Sequence, residues 1–431
     1  MSPGSDAHAH PTRGGGKRVV VVGAGIVGLC VAYAARSRGH EVVVVERERD
    51  GGDSCSLGNA GMLTPSHFIP LAEPSKIAKA LTSFLDSRSP FYLKPRFDLE
   101  LVRWGLLFLR SSLPSRARAS APILRDLLLA SRALHVELAA ELGNAQQLIE
   151  RGMLMLCRTQ AGLDEEAHIA ERARALGMPA EVCTPARAAE LDPGARMSIA
   201  GAVHYPLDSH LVPMRLVPAL ADALRARGVA FRWRCEATGF RLASERVLAL
   251  ETDAGEVAGD EFVLAAGSWS PELLRALGLR LPMQPGKGYS LTHPNPPAIP
   301  QLPSVLNEAS MAVTPMAGAL RIAGTMELSG MRSGDRPERI RQIVEGFVSY
   351  FPDFRAQDFA RLPPWRGRRP CSPDGLPYIG RAAGAANLTI ATGHAMLGVS
   401  LAPITGELVA QLISGEKPSL PLEALSPNRW A

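Results

Sequence analysis

A glycine-rich turn between two apolar runs constrains this chain more than any other feature. The first run is Val19 to Val22 and the second is Val42 to Val45, as strands buried on both faces of a parallel sheet require. Between them, Gly23, Gly25 and Gly28 form a Gly-x-Gly-x-x-Gly turn that opens a helix. The first glycine allows the turn, the second admits a pyrophosphate close to the backbone, and the third lets the helix pack on the strand. The pattern predicts a strand–helix–strand unit with an anion site at the helix N-terminus.

An acidic residue stands at the end of the second run, where such folds bind the ribose of a dinucleotide. Glu46 lies 18 residues after Gly28, and its carboxylate can accept hydrogen bonds from ribose hydroxyls. Together with the turn, whose inner residues are Ile26 and Val27, Glu46 predicts a dinucleotide site. An acid here favours NAD or FAD over NADP, although the neighbouring Arg47 weakens this choice. The alternative is a glycine-rich turn in an ordinary α/β unit.

Composition limits the classes of protein and partner. With 431 residues, 46% hydrophobic and 21% charged, the chain is typical of a soluble globular protein with two domains. The net charge of +5 comes from scattered arginines, so we expect a solvated surface and no nucleic-acid partner. The six cysteines form no Cys-x-x-Cys pair, so we predict no metal site and no disulfide framework. A reducing, cytoplasmic location fits, and residues 1–16 are predicted to be a disordered tail.

The most apolar helical stretch is too short and too interrupted to cross a membrane. Residues 99–109 include Glu100, Arg103 and Gly105, whereas a span needs about 18 apolar residues or more. We expect a core helix here. The alternative is a surface helix that touches lipid, which would place the protein peripherally on the inner membrane.

A second glycine-rich turn lies close to the C-terminus. The apolar run Leu388 to Thr392 predicts a strand, and the sequence GHAMLGVS follows from Gly393. The final helix is predicted over 403–413. A further helix N-terminus at the same sheet suits a ring that gains negative charge on reduction, as a flavin does. A single NAD site would not need it. After the buried strand at 260–264, Gly267 offers another close approach of the backbone to the cofactor.

From about Lys17 to Gly415 the sequence resembles the D-amino-acid oxidase and dehydrogenase family of flavoenzymes, especially the bacterial D-amino-acid dehydrogenases. The motifs that carry the resemblance are the Gly23 turn with Glu46, Asn59-Ala60-Gly61, the KGYSLT stretch from Lys287, Arg369-Pro370 before Pro373-Asp374-Gly375, and Gly393-His394 before Met396-Leu397-Gly398.

The resemblance implies an α/β fold, α+β overall, in which a Rossmann-like FAD-binding domain is interleaved with an antiparallel-sheet substrate domain. The expected FAD-binding segments are 17–70, 206–275 and 365–418. The expected substrate-domain segments are 71–205 and 276–364.

The resemblance also implies a chemistry and a site. FAD, held without a covalent link, would accept a hydride from the α-carbon of a D-amino acid and pass the electrons to a carrier such as a quinone. Arg369 resembles the family's carboxylate-binding arginine, and Tyr289 stands where a substrate-side hydroxyl is expected. His394 and the backbone of Met396, Leu397, Gly398 and Val399 would line the flavin, with Asn59, Ala60, Gly61 and Met62 along its other edge.

Each of these residues has a plainer interpretation. Arg369 belongs to an arginine-rich stretch that water could solvate, and Tyr289 could be a packed strand residue. His394 could be structural, since hydride transfer from an amine needs no strong protein base. Cys371 could be an unreactive thiol or, against the family pattern, a covalent flavin link.

The loop Cys55 to Phe68 departs from the usual D-amino-acid dehydrogenase pattern. Ser56-Leu57-Gly58 precedes Asn59, and Pro65-Ser66-His67 follows it. The loop resembles those of enzymes that act on D-hydroxyproline, and this resemblance implies that the D-amino acids oxidised include cyclic D-imino acids such as D-proline or cis-4-hydroxy-D-proline. Two other classes remain open: a glycine- or sarcosine-type oxidase that uses oxygen, and a non-catalytic FAD subunit for electron transfer.

Overall fold

The computed structural model describes residues 15–52, 54–70, 89 and 91–430. The tail predicted over 1–16, apart from its last two residues, lies outside the described residues. The sequence from Lys76 to Gly143 also predicts mostly helices, and the first part of that stretch lies outside the described residues.

The described residues form an α/β arrangement with one parallel sheet and one mostly antiparallel sheet. The strands are β1 (Arg18–Val22), β2 (Glu41–Glu46), β3 (Met62–Leu63), β4 (Phe91–Leu93), β5 (Met153–Cys157), β6 (Glu181–Cys183), β7 (Gly201–Tyr205), β8 (Ser209–His210), β9 (Ala230–Trp233), β10 (Ala237–Ala243), β11 (Arg246–Thr252), β12 (Gly255–Ala258), β13 (Glu261–Leu264), β14 (Gln284–His293), β15 (Ser304–Leu306), β16 (Met311–Met316), β17 (Ala319–Leu328), β18 (Trp365–Cys371), β19 (Tyr378–Ala382) and β20 (Ala385–Thr392). The α-helices are α1 (Ile26–Ser37), α2 (Leu99–Ser111), α3 (Pro114–Glu141), α4 (Gln160–Ala175), α5 (Pro185–Leu191), α6 (Pro213–Ala226), α7 (Ser270–Arg275), α8 (Pro337–Tyr350) and α9 (Gly398–Ser414).

The two valine runs are central strands of the parallel sheet. Its order is β19-β20-β13-β1-β2-β9, and β1 pairs in parallel with both of its neighbours. Val19 and Val21 pack under α1 and α9, whereas Val20 and Val22 pack against the small sheet β10-β11-β12. Because each face of the sheet is covered, both sets of alternating valines are buried, which explains the continuous apolar runs.

The second sheet has the strand order β18-β14-β17-β16-β15-β5-β7-β6, with β4 added beside β17. Most neighbouring strands are antiparallel, and the pairs β15–β5 and β17–β4 are parallel. Helix α8 covers one face, where Phe347 and Phe351 stack at 4.9 Å between ring centroids. The other face is directed at the carboxyl ends of the parallel strands. The predicted fold class, a Rossmann-like unit interleaved with an antiparallel-sheet unit, is confirmed.

Two segments pack differently from the predicted division into domains. Strand β18 lies in the large sheet, where Arg369 pairs with Gly286 of β14, although the sequence assigned residues from 365 onward to the other domain. Helix α3 packs with α9 on the parallel-sheet side through Leu124 and Leu128, although it was assigned to the substrate domain. Neither the pairing of a strand nor the partner of a helix face is encoded locally.

The last helix begins at Gly398, five residues before the predicted start at Pro403. A proline inside a helix removes the N–H that would bond the carbonyl four residues earlier, here that of Val399. The side chain of His135 replaces that donor, because its Nε2 lies 2.9 Å from the Val399 oxygen. The helix therefore continues through the proline.

Candidate active site

A cavity of about 1550 Å³ lies where the carboxyl ends of β1, β2, β13 and β20 meet the open face of the large sheet. Val22, Val45 and Thr392 line it from the parallel strands, and Thr325 and Arg369 line it from the other sheet. Ligands of open α/β folds bind at this edge of the sheet. The volume exceeds the roughly 300–1000 Å³ of an ordinary small-molecule site. The cavity is therefore large enough for a dinucleotide together with a small substrate.

The first glycine turn has the geometry that its sequence predicts. Gly23 has φ +107°, and a Cβ there would lie 2.7 Å from the Ala265 oxygen. A Cβ at Gly25 would meet only the Ser56 hydroxyl, at 3.6 Å, so the cavity reaches the backbone there. A Cβ at Gly28 would lie 1.9 Å from the Gly23 oxygen, so this glycine serves the packing of helix on turn.

Two helix N-termini at the cavity provide the positive electrostatic potential that a dinucleotide's diphosphate and an electron-rich ring would need. Neither α1 nor α9 has an acidic residue in its first turn or a cap from its own N-cap side chain. At the start of α1 the Ile26 N–H donates to the Ser56 hydroxyl at 3.0 Å. Gly25, Ile26 and Val27 line the cavity at the first helix. At the second, the cavity is lined by Met396, Leu397, Gly398 and Val399. The two ends suit a diphosphate and an electron-rich ring, which is the anionic pattern of FAD.

Glu46 both lines the cavity and fixes the turn. Its Oε2 accepts a hydrogen bond from the Ala24 N–H at 2.8 Å, and its Oε1 accepts one from the Glu48 N–H at 2.9 Å. Arg47 lines the cavity beside it, but its guanidinium carbon lies 3.8 Å from the centroid of the Trp269 ring. Arg47 is the cation that weakened the choice of NAD or FAD over NADP in the sequence. Its guanidinium stacks on an aromatic ring instead of standing ready for the 2′-phosphate of NADP.

The loop that follows β2 is held in place by a buried arginine that the sequence did not single out. Arg321, 3% exposed, donates from Nη1 to the carbonyl oxygens of Leu57 and Asn59 at 2.8 and 2.7 Å. Burial lowers the pKa of Arg321 to about 10, and the side chain remains a cation at neutral pH. Asn59 also accepts from the Gly61 N–H at 2.8 Å. Asn59, Ala60 and Met62 line the cavity as predicted.

Three glycines of the predicted cofactor motifs are absent from the cavity wall that the described residues form: Gly28, Gly61 and Gly393. Gly28 has the packing role that the sequence predicts, and the other two also have packing roles. Gly61 has φ +74°, and a Cβ there would lie 2.2 Å from the Leu211 oxygen. Gly393 has φ +82°, and a Cβ there would lie 2.7 Å from the Tyr378 ring. The same motif letters thus shape the backbone without forming part of the cavity wall that the described residues provide. Gly267, by contrast, does line the cavity.

His394 lines the cavity but is 3% exposed and held by Thr405, with 2.9 Å between Nε2 and Oγ1. Thr405 donates its own hydroxyl proton to the Leu401 oxygen, so His394 is the donor in the pair. Burial lowers the pKa of His394 to about 3, and the ring is neutral at neutral pH. This environment favours a structural role over that of a base.

Tyr289 does not reach the cavity, and its prediction as a substrate-side hydroxyl is wrong. The residue is 1% exposed and lies in the core beneath α8 with Leu291 and Ile343. Its hydroxyl accepts a hydrogen bond from the Arg336 N–H at 3.2 Å. Strand residues alternate between faces, and this one points away from the site.

Arg369 lines the cavity from strand β18 of the large sheet. Its guanidinium lies against Gly288, where a Cβ would be 2.1 Å from Nη1, and Nη1 donates to the Thr325 oxygen at 2.8 Å. Burial lowers its pKa, but no carboxylate pairs with it among the described residues. Its neighbour Arg366, in contrast, is exposed and paired with Asp335. The plainer interpretation of a solvated arginine fits Arg366 rather than Arg369.

Other cavity residues have no signature in the sequence. Thr325 has φ +64°, which is rare for a β-branched residue, at the point where the register of β14 and β17 shifts. This bulge directs its carbonyl at Arg369. The Trp365 ring packs on Gly58, where a Cβ would overlap it. Only the pairing of strands from distant parts of the chain brings these residues to the cavity.

Residues 18–412 match the family described as FAD dependent oxidoreductase, the D-amino-acid oxidase type. The chain belongs to this family. It is similar to the D-amino acid dehydrogenase of Paramagnetospirillum magneticum, 35% identical over 419 residues that cover 96% of this chain and 99% of the relative. The D-amino acid dehydrogenase of Rhizorhabdus wittichii is 34% identical over 96% of this chain and 100% of its own.

Solved structures show the same fold. Glycine oxidase from Geobacillus kaustophilus gives a TM-score of 0.75 at 26% identity, covering 96% of this chain and 100% of that one. L-proline dehydrogenase from P. horikoshii gives 0.70 at 20% identity, covering 96% and 98%, and this likeness concerns the fold alone. Within the described residues, no helix has the length and apolar character to cross a membrane.

Proposed function

We propose that the protein is an FAD-dependent dehydrogenase of D-amino acids. The observation that carries the proposal is Arg369, a half-buried guanidinium that lines the cavity and has no carboxylate partner among the described residues. A buried cation without a counter-ion is costly unless a ligand supplies the anion. An amino acid's carboxylate has the planar shape that this side chain binds in a bidentate manner. The relatives named D-amino acid dehydrogenase agree with this substrate class.

The chain's own residues would bind and orient the reactants. The two helix N-termini and Glu46 hold the dinucleotide, and Arg369 fixes the carboxylate of the substrate through its guanidinium. With the carboxylate fixed, the position left for the side chain selects one enantiomer. FAD, when bound, would accept a hydride from the α-carbon. The apolar part of the wall, which includes Phe91, Phe108 and Met155, excludes water from the substrate end.

The finer assignments belong to the same proposal. Cyclic D-imino acids such as D-proline or cis-4-hydroxy-D-proline are the proposed substrates, on the strength of the unusual loop that carries His67. FAD is proposed to bind without a covalent link: Cys371 is fully buried, and burial raises its pKa to about 12. We propose that the chain divides into an FAD-binding part and a substrate part at the predicted boundaries, with two exceptions. Because of their packing, β18 belongs to the substrate part and α3 to the FAD-binding part.

The proposed electron acceptor is a membrane quinone, reached from a cytoplasmic face. Its support is an apolar stripe on α2 and its flanks, whose exposed members are Phe97, Leu99, Val102, Leu106, Leu109 and Leu113. Arg110, Arg116 and Arg118 lie exposed nearby and would meet anionic lipid head groups. On its other side α2 presents Phe108 to the cavity, so the stripe and the site share one helix.

The test is anaerobic reduction of the purified yellow protein. D-alanine, D-proline and cis-4-hydroxy-D-proline are each mixed with it, and bleaching of the flavin absorbance is followed beside the L-enantiomers as controls. We expect bleaching by the D-forms only. No bleaching by any amine would contradict the proposal and favour a non-catalytic electron-transfer subunit. Flavin that stays with acid-precipitated protein would contradict noncovalent binding.

A glycine-type oxidase is the second candidate, favoured by the likeness to the Geobacillus kaustophilus enzyme. The two functions differ in what reoxidises the flavin. Stopped-flow mixing of the reduced protein with oxygen, compared with turnover by a quinone analogue, separates them. We expect reoxidation by oxygen to be much slower than turnover with the quinone. Equal rates would identify an oxidase.

A further inference from the structure

The guanidinium of Arg369 crosses a neighbouring strand to reach its hydrogen-bond partner. Arg369 lies on β18, and β14 separates that strand from β17, which carries Thr325. Gly288 of β14 makes the crossing possible, because a Cβ there would lie 2.1 Å from Nη1. Beyond this glycine, Nη1 donates to the Thr325 oxygen at 2.8 Å. The position of the guanidinium therefore depends on the direction of the Thr325 carbonyl.

The Thr325 carbonyl belongs to a β-bulge, so its direction depends on the register of two strands. Two residue pairs flank the bulge: Lys287 with Glu327, and Tyr289 with Gly324. Between these pairs β14 has one residue and β17 has two, and Thr325 adopts φ +64°. A β-branched residue keeps this unfavourable conformation only where the surrounding structure enforces it. The pairing beside the bulge must therefore hold it in place.

One of the flanking pairs is a buried ion pair. The side chains of Lys287 and Glu327 are 1% and 2% exposed, with 3.4 Å between Nζ and Oε1. Strand residues alternate between faces, and Lys287 shares the face of Tyr289, in the core beneath α8. Its Nζ also donates to the Gly334 oxygen at 2.5 Å. Neither member of the pair belongs to the cavity wall that the described residues form, so the pair does not bind a ligand there itself.

A buried ion pair specifies the register of two strands, as apolar residues do not. If β17 slipped by one residue against β14, the charges of Lys287 and Glu327 would separate and the side chains of β17 would change face. Each charge would then be buried without its partner, which is strongly destabilising. Burial lowers the pKa of Lys287 and Glu327 opposes that shift. The other cation near Glu327 is the fully buried Arg339, whose Nη1 donates to the Ser89 oxygen.

We propose that the Lys287–Glu327 pair positions Arg369 for the carboxylate of the substrate. The pair fixes the register of β14 and β17, the register fixes the bulge, and the Thr325 carbonyl of the bulge orients the guanidinium. Lys287 and Glu327 are thus positioning residues, which touch neither substrate nor cofactor. A neutral pair of similar size would fill the same space but would leave the bulge free to move along the strand. The inference rests on the proposed function, since it assumes that Arg369 binds a carboxylate.

The experiment compares the wild-type holoprotein with the double variant Lys287→Met and Glu327→Gln. This variant removes one charge of each sign, so neither partner is left as an unpaired buried charge. The ligand is (R)-tetrahydro-2-furoate, a ring carboxylate shaped like D-proline in which oxygen replaces the amine nitrogen. Its Kd is measured by titration calorimetry, and kcat/KM is measured for D-proline and for pyrrolidine, which has no carboxylate. We expect Kd to rise at least about 5-fold and kcat/KM for D-proline to fall by a similar factor, with pyrrolidine within about 2-fold of the wild type.

Two further variants serve as controls. Gly288→Ala displaces the guanidinium directly through its added Cβ, and it should raise Kd for the ring carboxylate at least about 10-fold. The double variant Arg429→Met and Asp374→Asn removes a different ion pair of low exposure, 10% and 12%, outside the cavity wall that the described residues form. It should lower the melting temperature and leave Kd within about 2-fold of the wild type.

Flavin absorbance and the melting temperature show whether each variant folds and holds FAD. If the double variant does not fold, Glu327→Gln alone is measured, because Gln has the shape of Glu and cannot pair with the ammonium. A wild-type Kd in the folded variant would overturn the inference. So would equal losses for D-proline and pyrrolidine, which would mean a general structural role. If D-amino acids do not bleach the wild type, or if Gly288→Ala does not weaken the ring carboxylate, the proposed role of Arg369 is contradicted instead, and the inference falls with it.

Discussion

At the scale of single residues, the half-buried cation Arg369 differs from its neighbour Arg366 in what balances its charge. Arg366 has Asp335, whereas Arg369 is held only by the Thr325 carbonyl and the face of Gly288 among the described residues. Neutral groups thus fix the position of the Arg369 guanidinium, and they do not neutralise its positive charge, which an anionic ligand could do. This arrangement fits recognition of an anion more closely than it fits stabilisation of the fold.

Substitution of Arg369 should therefore weaken the transition state for amino acids. Arg369→Lys keeps the charge but loses the planar fork, and we expect a cost of about 1–2 kcal/mol. Arg369→Ala loses both, and we expect about 3–5 kcal/mol. The measurement is kcat/KM for D-proline, D-alanine, cis-4-hydroxy-D-proline and pyrrolidine, which lacks the carboxylate. Equal losses for pyrrolidine and D-proline would rule out carboxylate binding. A strong preference of the wild type for D-alanine would contradict the cyclic substrate alone.

At the scale of elements, α9 depends on a residue from another helix. Pro403 deprives the Val399 carbonyl of its main-chain donor, and His135 of α3 supplies one at 2.9 Å. His135 is fully buried, so its replacement by Leu leaves a carbonyl without a donor. We expect His135→Leu to lower the free energy of unfolding by about 1–3 kcal/mol.

Pro403→Ala provides the control, because it returns an N–H to the helix. In that background His135→Leu should cost markedly less, and the double-mutant cycle measured by thermal or denaturant unfolding gives the coupling. Additive effects of the two substitutions would mean that His135 stabilises the protein by packing rather than through the carbonyl.

The stripe on α2 leads to a second prediction at this scale. Val102 and Leu106 are 56% and 64% exposed. In the double variant Val102→Ser and Leu106→Ser, we expect at least about 10-fold weaker sedimentation with phosphatidylglycerol vesicles, since apolar insertion is lost. Leu248→Ser, which alters an exposed leucine on β11, is the matched control and should bind as the wild type does. If the wild-type protein forms a dimer and does not sediment with the vesicles, the stripe is a contact surface for a second copy of the chain.

At the scale of the whole molecule, buried titratable groups set the dependence of stability on pH. Burial lowers the pKa of His135 and His210 to about 4 and that of His394 to about 3. The unfolded chain binds protons at these sites from about pH 6.5 downward, which destabilises the native state. Asp208 acts in the opposite sense, since its pKa is raised to about 7 and the native state holds its proton first.

Three histidines outweigh one carboxyl group, so the free energy of unfolding should fall between about pH 6.5 and pH 4. Denaturant unfolding of the holoprotein at several pH values in this window checks the sign. The variant Asp208→Asn should make the fall steeper, because it removes the opposing group. A free energy that stays level or rises on acidification would contradict the expected burial of the neutral rings.

The sequence alone determined the features whose causes are local. The valine runs, the Gly23 turn and Glu46 indicate the dinucleotide-binding unit, because the positive φ of Gly23 and the close approach of Gly28 to the Gly23 oxygen are local demands. The sequence over 337–350 likewise predicts a helix, and α8 has these bounds.

Only the tertiary structure decided which residues face the cavity. Tyr289 and Arg369 both lie on strands, and strand pairing sends one into the core and the other to the site. Gly61 and Gly393 fit the motifs yet pack against Leu211 and Tyr378 rather than the cavity. His135 donates a hydrogen bond to the Val399 carbonyl of α9, a helix that lies far along the chain from His135. Contacts between distant segments have no signature in any local pattern, because the direction of a side chain depends on the partner strand or helix that packs beside it.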